Sequence, residues 1–202
     1  MIPFRQRITM PAPNEFPRNI SLIGFMGSGK TTVGRVLADR LGWRFADTDT
    51  LIAEQAGAQT VQALFADEGE MRFREREADA VRTVCADKHQ VIATGGGTVT
   101  RPANVAALRQ ASLVVWLTAR PEIVVARTRR TASTRPLLSE HAGTEDALLT
   151  RVLTLLGERA PTYQSAAHLI VDSTDRSPAA IAGEIDRKAA RWAWDFGQEV
   201  MS

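Results

Sequence analysis

The stretch Gly-Phe-Met-Gly-Ser-Gly-Lys-Thr-Thr at 24–32 constrains this chain more than any other part of it. It follows the pattern G-x-x-x-x-G-K-T, in which glycines let the backbone wrap a phosphate chain with its N–H groups facing inward. A short apolar run at 20–23 precedes it, and apolar residues at helical spacing follow it over 33–41. The flanks predict a buried strand, a phosphate-binding loop and a helix N-terminus in this order. The alternative, a glycine-rich turn that binds nothing, is disfavoured because motif and flanks agree.

Two side chains of this loop have chemistry suited to a nucleoside triphosphate. Lys30 can reach the β- and γ-phosphates, and the hydroxyl of Thr31 can coordinate Mg²⁺. The motif identifies the phosphoryl donor but leaves the acceptor of the phosphoryl group open.

Composition narrows the class of protein further. The chain has 202 residues, 44% of them hydrophobic and 24% charged, which is typical of a single globular domain. A net charge of only +2 gives no reason to expect a nucleic-acid or membrane partner. The single cysteine, Cys85, cannot form an internal disulfide, and residues 1–7 lack the apolar segment of a signal peptide. We therefore expect a cytoplasmic protein.

Strands alternate with helices along the whole chain. Further strands are predicted near 43–46, 91–94, 113–117 and 167–171, with helices between them, one of which is expected to end near 159. This order predicts an α/β fold with one parallel sheet and helices on both faces. Ligands of such sheets bind at the carboxyl ends of the strands, where three candidate segments fall. These segments are Gly24–Thr32, Asp47–Asp49 and Gly95–Gly97.

Asp47 and Asp49 are the first candidates for the acceptor side of the site. They lie two residues apart at the end of a predicted strand, so their side chains share one face if strand geometry continues. One carboxylate could help hold Mg²⁺ through water, and the other could accept a proton from an attacking hydroxyl. The alternative is a pair of solvated turn aspartates or a helix N-cap.

Two arginines supply a second acceptor signal. Arg74 and Glu77 are neighbours on one predicted helix, and Arg159 stands near the end of another. Each has a plain alternative, a surface ion pair for the first two and a helix-end cation for Arg159. Arginine binds carboxylates through a planar fork, so two arginines and an aspartate around a glycine platform would suit a small hydroxylated acid.

Six motifs in a fixed order give the chain a specific resemblance. They are Gly-x-x-Gly-Ser-Gly-Lys-Thr, Asp47-Thr48-Asp49, Phe73-Arg74 with Glu77, Gly95-Gly96-Gly97, Arg135-Pro136-Leu137-Leu138 and Arg159-Ala160-Pro161-x-Tyr163. The first is common to many nucleotide-binding proteins, whereas the ordered set closely resembles the shikimate kinases over about residues 19–185.

This resemblance implies a three-layer P-loop kinase fold, like that of nucleoside monophosphate kinases. The fold would have a five-stranded parallel sheet, helices on both faces and a mobile lid near 128–143. We expect a flexible tail at 1–17 and a single domain over 18–202, ending in a helical extension near 187–202. We also expect a monomer.

The resemblance further implies MgATP-dependent phosphorylation of the 3-hydroxyl of shikimate, and it assigns roles to individual residues. The implied catalytic residues are Lys30, Asp49 and Arg135. The implied ATP-binding residues are Gly27, Ser28, Gly29, Lys30, Thr31, Thr32, Arg135, Arg176 and Pro178. The implied substrate-binding residues are Asp49, Arg74, Glu77, Gly96 and Arg159, and the implied metal-binding residues are Thr31 and Asp47. A related kinase acting on gluconate and a catalytically silent nucleotide-binding module are the alternatives.

Overall fold

A twisted sheet of five parallel strands forms the centre of the protein. The computed structural model describes residues 17–58, 60–129 and 144–199. The strands lie in the order β2-β3-β1-β4-β5. Their bounds are Asn19–Ile23 (β1), Arg44–Asp47 (β2), Gln90–Ala93 (β3), Leu113–Thr118 (β4) and Leu169–Asp172 (β5). All five lie within two residues of the predicted positions, and the neighbouring pairs are parallel as expected.

Helices cover both faces of this sheet within the described ranges. Their bounds are Lys30–Leu41 (α1), Thr48–Gln55 (α2), Val61–Ala86 (α3), Pro102–Ala111 (α4), Pro121–Thr128 (α5), Glu145–Ala166 (α6) and Pro178–Glu199 (α7), with a 3₁₀ turn at Thr98–Thr100. Buried apolar side chains of α1 and α7 pack on one face of the sheet, around Leu22 and Val115. Side chains of α3, α4 and α6 pack on the other, around Ile23 and Val114. The three-layer prediction is therefore confirmed.

The helix after 144 runs further than the sequence predicts. We expect an end near 159, whereas α6 continues through Pro161 to Ala166. Proline inside a helix removes one backbone hydrogen bond and normally ends or bends the helix. Here Tyr163 and Ala166 are almost fully buried against the sheet, and their burial offsets the lost hydrogen bond.

The segment after β2 also differs from the prediction. β2 ends at Asp47, and α2 begins directly at Thr48, so Asp47 and Asp49 do not share a strand face. Instead, Asp47 is the N-cap of α2, with its Oδ1 accepting the backbone N–H of Asp49 at 3.0 Å. The sequence-based alternative expected an N-cap at Asp49, whereas the structure has Asp47 as the cap and Asp49 in the first turn of α2.

A break at Gly69 lies inside α3. Gly69 has φ 78° and ψ 173°, which divides the stretch into two helical parts joined by a kink. At the other end of the chain, the predicted terminal helix is present as α7, in which Ala189 is buried and Trp192 packs against the core. The lid with Arg130 and Arg135 and almost all of the N-terminal tail lie outside the described residues. No helix within the described ranges is long and apolar enough to cross a membrane.

Candidate active site

The loop between β1 and α1 forms a backbone cradle at the carboxyl edge of the sheet. Gly27 and Gly29 have φ of 78° and 94°, in the left-handed region that favours glycine. A Cβ on Gly27 would lie 2.7 Å from the Thr128 side chain, and one on Gly24 would lie 2.4 Å from the Leu117 carbonyl oxygen. The loop can therefore keep this shape only with glycine at these positions.

Polar side chains of the loop lie where they could bind an anion. The ammonium group of Lys30 donates to the carbonyl oxygens of Gly24 and Phe25 at 2.8 and 3.0 Å, so it lies folded over the loop. Ser28 Oγ is the only buried side-chain polar atom of the described residues without a hydrogen-bond partner. A buried hydroxyl without a partner is costly, and a phosphate oxygen would satisfy it. The loop therefore fits the phosphate chain of a nucleotide.

Thr31 and Asp47 place two oxygen atoms at one side of this loop. The Thr31 hydroxyl, on the first turn of α1, donates to Asp47 Oδ2 at 2.9 Å. Asp47 stands at the end of β2 and is held by capping α2. Hydroxyl and carboxylate oxygens are the ligands that Mg²⁺ prefers, so the donor set fits the predicted metal, directly at Thr31 and through water at Asp47.

The carboxylates of Asp49 and Glu77 meet beside the glycine triplet that follows β3. A Cβ on Gly95 would lie 2.7 Å from Asp49 Oδ1 and 3.1 Å from Glu77 Oε1, so only glycine leaves room for both. The backbone N–H of Gly95 donates to the Thr48 hydroxyl at 3.1 Å, which ties α2 to the triplet. The fold thus brings Asp49 to the glycine platform by placing it on α2.

Arg74 and Glu77 form a partly buried pair instead of the surface ion pair that spacing alone allowed. Arg74 Nη1 donates to Glu77 Oε2 at 3.0 Å, and the Glu77 side chain is only 1% exposed. The Thr98 hydroxyl donates to the other Glu77 oxygen at 2.9 Å. The guanidinium lies against Gly97, where a Cβ would approach Nη1 to 2.6 Å. Thr98 was missed by sequence reasoning, although it directly follows the glycine triplet.

Arg159 lies inside α6 and not at a helix end. Its Nη1 is 3.5 Å from the Gly96 carbonyl oxygen, and its Cζ lies 5.9 Å from the centre of the Phe25 ring. Tyr163, one turn further along α6, donates its hydroxyl to the same Gly96 oxygen at 2.5 Å. Sequence reasoning quoted Tyr163 as part of a motif but gave it no role. Burial raises the pKa of Tyr163 to about 12.

The loop from β5 to α7 lies beside the phosphate-binding loop. Arg176 donates to the Asp172 carbonyl oxygen at 2.8 Å and pairs with Glu184 at 2.7 Å, immediately before Pro178 begins α7. Arg127 of α5 connects the two loops, since it donates to the carbonyl oxygens of Gly27 at 3.3 Å and Ser173 at 2.9 Å.

The structure brings together most of the predicted site residues. Those at the donor side are Gly27, Ser28, Gly29, Lys30, Thr31, Thr32 and Asp47, which form the loop, the first turn of α1 and the adjacent strand end. Those at the acceptor side are Asp49, Arg74, Glu77, Gly96 and Arg159, which surround the glycine triplet. Gly96 joins the two sides, because a Cβ there would lie 3.4 Å from the backbone nitrogen of Met26 in the loop.

Comparisons with known proteins identify the family. The family model described as shikimate kinase matches residues 26–190. A shikimate kinase of Moorella thermoacetica is 46% identical over 176 residues, which cover 87% of this chain and 96% of that protein. A shikimate kinase of Symbiobacterium thermophilum is 47% identical over 171 residues, with 84% and 95% coverage.

Solved structures give the same result. The structure of shikimate kinase from Acinetobacter baumannii in complex with shikimate has a TM-score of 0.78 to this chain and 36% sequence identity. It covers 91% of this chain and 94% of its own. The chain belongs to the shikimate kinase family.

Proposed function

We propose that this protein transfers the γ-phosphoryl group of ATP to the 3-hydroxyl of shikimate, giving shikimate 3-phosphate and ADP, a step of aromatic amino acid biosynthesis. The observation that carries the proposal is the acceptor side of the site. One carboxylate and two arginines, Asp49, Arg74 and Arg159, converge on the glycine triplet directly beside a phosphate-binding loop. A donor loop alone would fit any phosphotransferase, whereas this arrangement suits an acceptor with one carboxylate and several hydroxyls.

On the donor side, residues 27–32 hold the phosphate chain through backbone N–H groups and the Ser28 hydroxyl. Lys30 exchanges its two carbonyl partners for the β- and γ-phosphates when ATP binds. Thr31 would hold Mg²⁺ directly and Asp47 would hold it through water, and the bound ion would supply positive charge to the phosphates. Arg176 and Pro178 border the adenine. This division follows from where these side chains lie and from the chemistry of phosphate binding.

On the acceptor side, Arg74 and Arg159 hold the carboxylate of shikimate. Glu77 orients Arg74, which is consistent with the 3.0 Å bond and with the burial of the Glu77 carboxylate. Gly96 offers its backbone N–H, because its carbonyl oxygen already accepts from Tyr163. Asp49 binds the hydroxyls of the ring and accepts the proton of the attacking 3-hydroxyl.

In this proposal, positioning of the substrates and stabilisation of the transition-state charge account for the rate of phosphoryl transfer. The transition state spreads negative charge over the γ-phosphoryl oxygens, and Lys30 and the loop N–H groups stabilise it, with further positive charge that bound Mg²⁺ would supply. Arg135, on the lid, adds a further positive charge when the lid closes over the phosphates. Closure also excludes water, which suppresses ATP hydrolysis. We further propose that the enzyme acts as a cytoplasmic monomer with ATP and shikimate as its partners.

A coupled assay for ADP release tests the proposal. Purified protein with MgATP should release ADP in proportion to added shikimate, and far more slowly with gluconate or without an acceptor. Preference for gluconate would establish the related kinase instead. Binding of ATP without turnover of any acceptor would indicate a catalytically silent nucleotide-binding module.

A further inference from the structure

Tyr163 is the one tyrosine of the chain, and its phenol lies at the wall of the acceptor site. The residue is 0% exposed, and its ring stacks on Trp116 of β4 with centroids 5.6 Å apart and planes inclined by 22°. Its hydroxyl donates to the Gly96 carbonyl oxygen at 2.5 Å, a shorter hydrogen bond than the 3.5 Å bond from Arg159 to the same oxygen. The phenol therefore connects a rigidly packed ring to a flexible backbone.

The bond fixes a peptide group that lies between the two arginines. The Gly96 carbonyl belongs to the peptide that joins Gly96 to Gly97. Arg159 lies on the carbonyl side of this peptide, with Nη1 at 3.5 Å, and Arg74 lies against Gly97 at its other end. Neither glycine has a side chain that could hold the peptide plane, so its orientation depends on such external bonds.

The Tyr163 hydroxyl has a second effect, because it and Arg159 donate to the same Gly96 carbonyl oxygen. Tyr163 supplies the closer bond to the Gly96 carbonyl oxygen, which also accepts from Arg159 Nη1 at 3.5 Å, and the Tyr163 hydroxyl is itself a hydrogen-bond partner of Arg159. Without the hydroxyl, the carbonyl oxygen would lose its principal donor. A carbonyl that is withdrawn from water without a partner is costly, so it would draw Arg159 toward itself. The phenol remains protonated and able to donate, since burial raises the pKa of Tyr163 to about 12.

We infer that Tyr163 is a positioning residue that sets the Gly96–Gly97 peptide and thereby the relative placement of Arg74 and Arg159 for the substrate carboxylate. The inference rests on the proposed function, because the carboxylate is that of shikimate. It assigns Tyr163 an effect on the acceptor alone. The donor loop should be little affected, since the hydroxyl donates to Gly96 and not to an atom of the loop.

The variant Tyr163→Phe keeps the ring and its stacking on Trp116 but removes the hydroxyl. We expect the KM for shikimate to rise about five- to thirtyfold, the equivalent of losing one partner of a buried hydrogen bond. The KM for ATP should change by less than about twofold, because ATP binds on the other side of the site. Steady-state kinetics with each substrate varied in turn measure both values.

Ser112→Ala is the matched control. Its buried hydroxyl bonds Ser21 Oγ at 2.7 Å and the Leu108 carbonyl oxygen at 2.6 Å, before the start of β4 and at the opposite edge of the sheet. This variant should lower the melting temperature without changing either KM. If Tyr163→Phe also lowers the melting temperature but leaves the KM for shikimate unchanged, the hydroxyl is merely structural and the inference fails. Absence of shikimate turnover in the unmodified protein would instead overturn the proposed function.

A second experiment avoids the substitution and applies even if Tyr163→Phe does not fold. Biosynthetic incorporation of 3-fluorotyrosine labels this single site in the full chain, so the protein should give one ¹⁹F resonance. Saturation with shikimate should shift that resonance, whereas saturation with ADP alone should leave it in place. No shift with shikimate, or an equal shift with ADP, would overturn the inference.

Discussion

Gly97→Ala is a small change with a large expected effect on the acceptor site. Gly97 has φ −99° and ψ −6°, a conformation that alanine can adopt, so the substitution introduces no backbone strain. The added Cβ, however, would lie 2.6 Å from Arg74 Nη1 and 2.9 Å from Nη2. Ordinary contact between such atoms needs about 3.5 Å, so the guanidinium must move by about 1 Å.

That displacement determines how far the KM for shikimate should rise. Moving the guanidinium stretches its 3.0 Å bond to Glu77 and misplaces it for the substrate carboxylate. A charge-assisted hydrogen bond contributes about 1.5–3 kcal/mol, so the KM for shikimate should rise about ten- to hundredfold. Folding stability should change little, because alanine reduces the entropy of the unfolded chain by about 0.4–1 kcal/mol and so offsets part of the weakened ion pair.

Steady-state kinetics and thermal unfolding test the two halves of this prediction. Gly157→Ala is the control, since Gly157 lies in α6 and a Cβ there meets nothing within 4 Å. It should slightly raise the melting temperature through helix propensity and leave both KM values unchanged. A normal KM for shikimate in Gly97→Ala would refute the assignment of Arg74 to the substrate carboxylate.

Three further substitutions test other parts of the site and the fold. Asp49→Asn should abolish most turnover while ATP binding, measured by calorimetry, stays nearly intact; equal loss of both would contradict the role as base. Ser28→Ala should raise the KM for ATP without lowering the melting temperature, because the buried hydroxyl has no hydrogen-bond partner among the described residues, and a clear loss of stability would count against this. Burial lowers the pKa of His168 to about 4, so the unfolded chain binds more protons than the folded one between about pH 6.5 and 4, and stability falls as the pH decreases through this window. His168→Asn keeps a hydrogen-bond acceptor at this position but does not titrate. Its melting temperature should therefore fall less between pH 7.5 and 5 than that of the unmodified protein. An equal fall would show that His168 is not the source of the pH dependence.

Local signals were strong enough to predict the sheet and the loop. The glycines of 24–29 need conformations and close approaches that few other residues allow, so the motif largely determines the backbone there. Buried parallel strands read as short apolar runs, and all five were found within two residues. The end of α6 was missed because burial of Tyr163, a tertiary effect, outweighs the local tendency of Pro161 to end a helix.

The site residues were recognised in order, but their geometry could not be predicted from spacing. Glu77 looks like half of a surface pair in the sequence, and only packing against Thr98 shows that its carboxylate is buried. Asp49 reaches the glycine platform because α2 starts at Thr48, directly after β2, with Asp47 as its cap. Contacts between residues distant in the chain depend on how the layers pack, and one sequence does not encode them in any local pattern.

The identity of the product tests the central claim most directly. The protein should be incubated with MgATP and an equimolar amount of shikimate, and the reaction followed by ³¹P NMR with proton coupling. The account predicts one new phosphomonoester resonance coupled to the proton at C3, formed in step with ADP. A phosphoryl group on another hydroxyl, or release of inorganic phosphate alone, would contradict it.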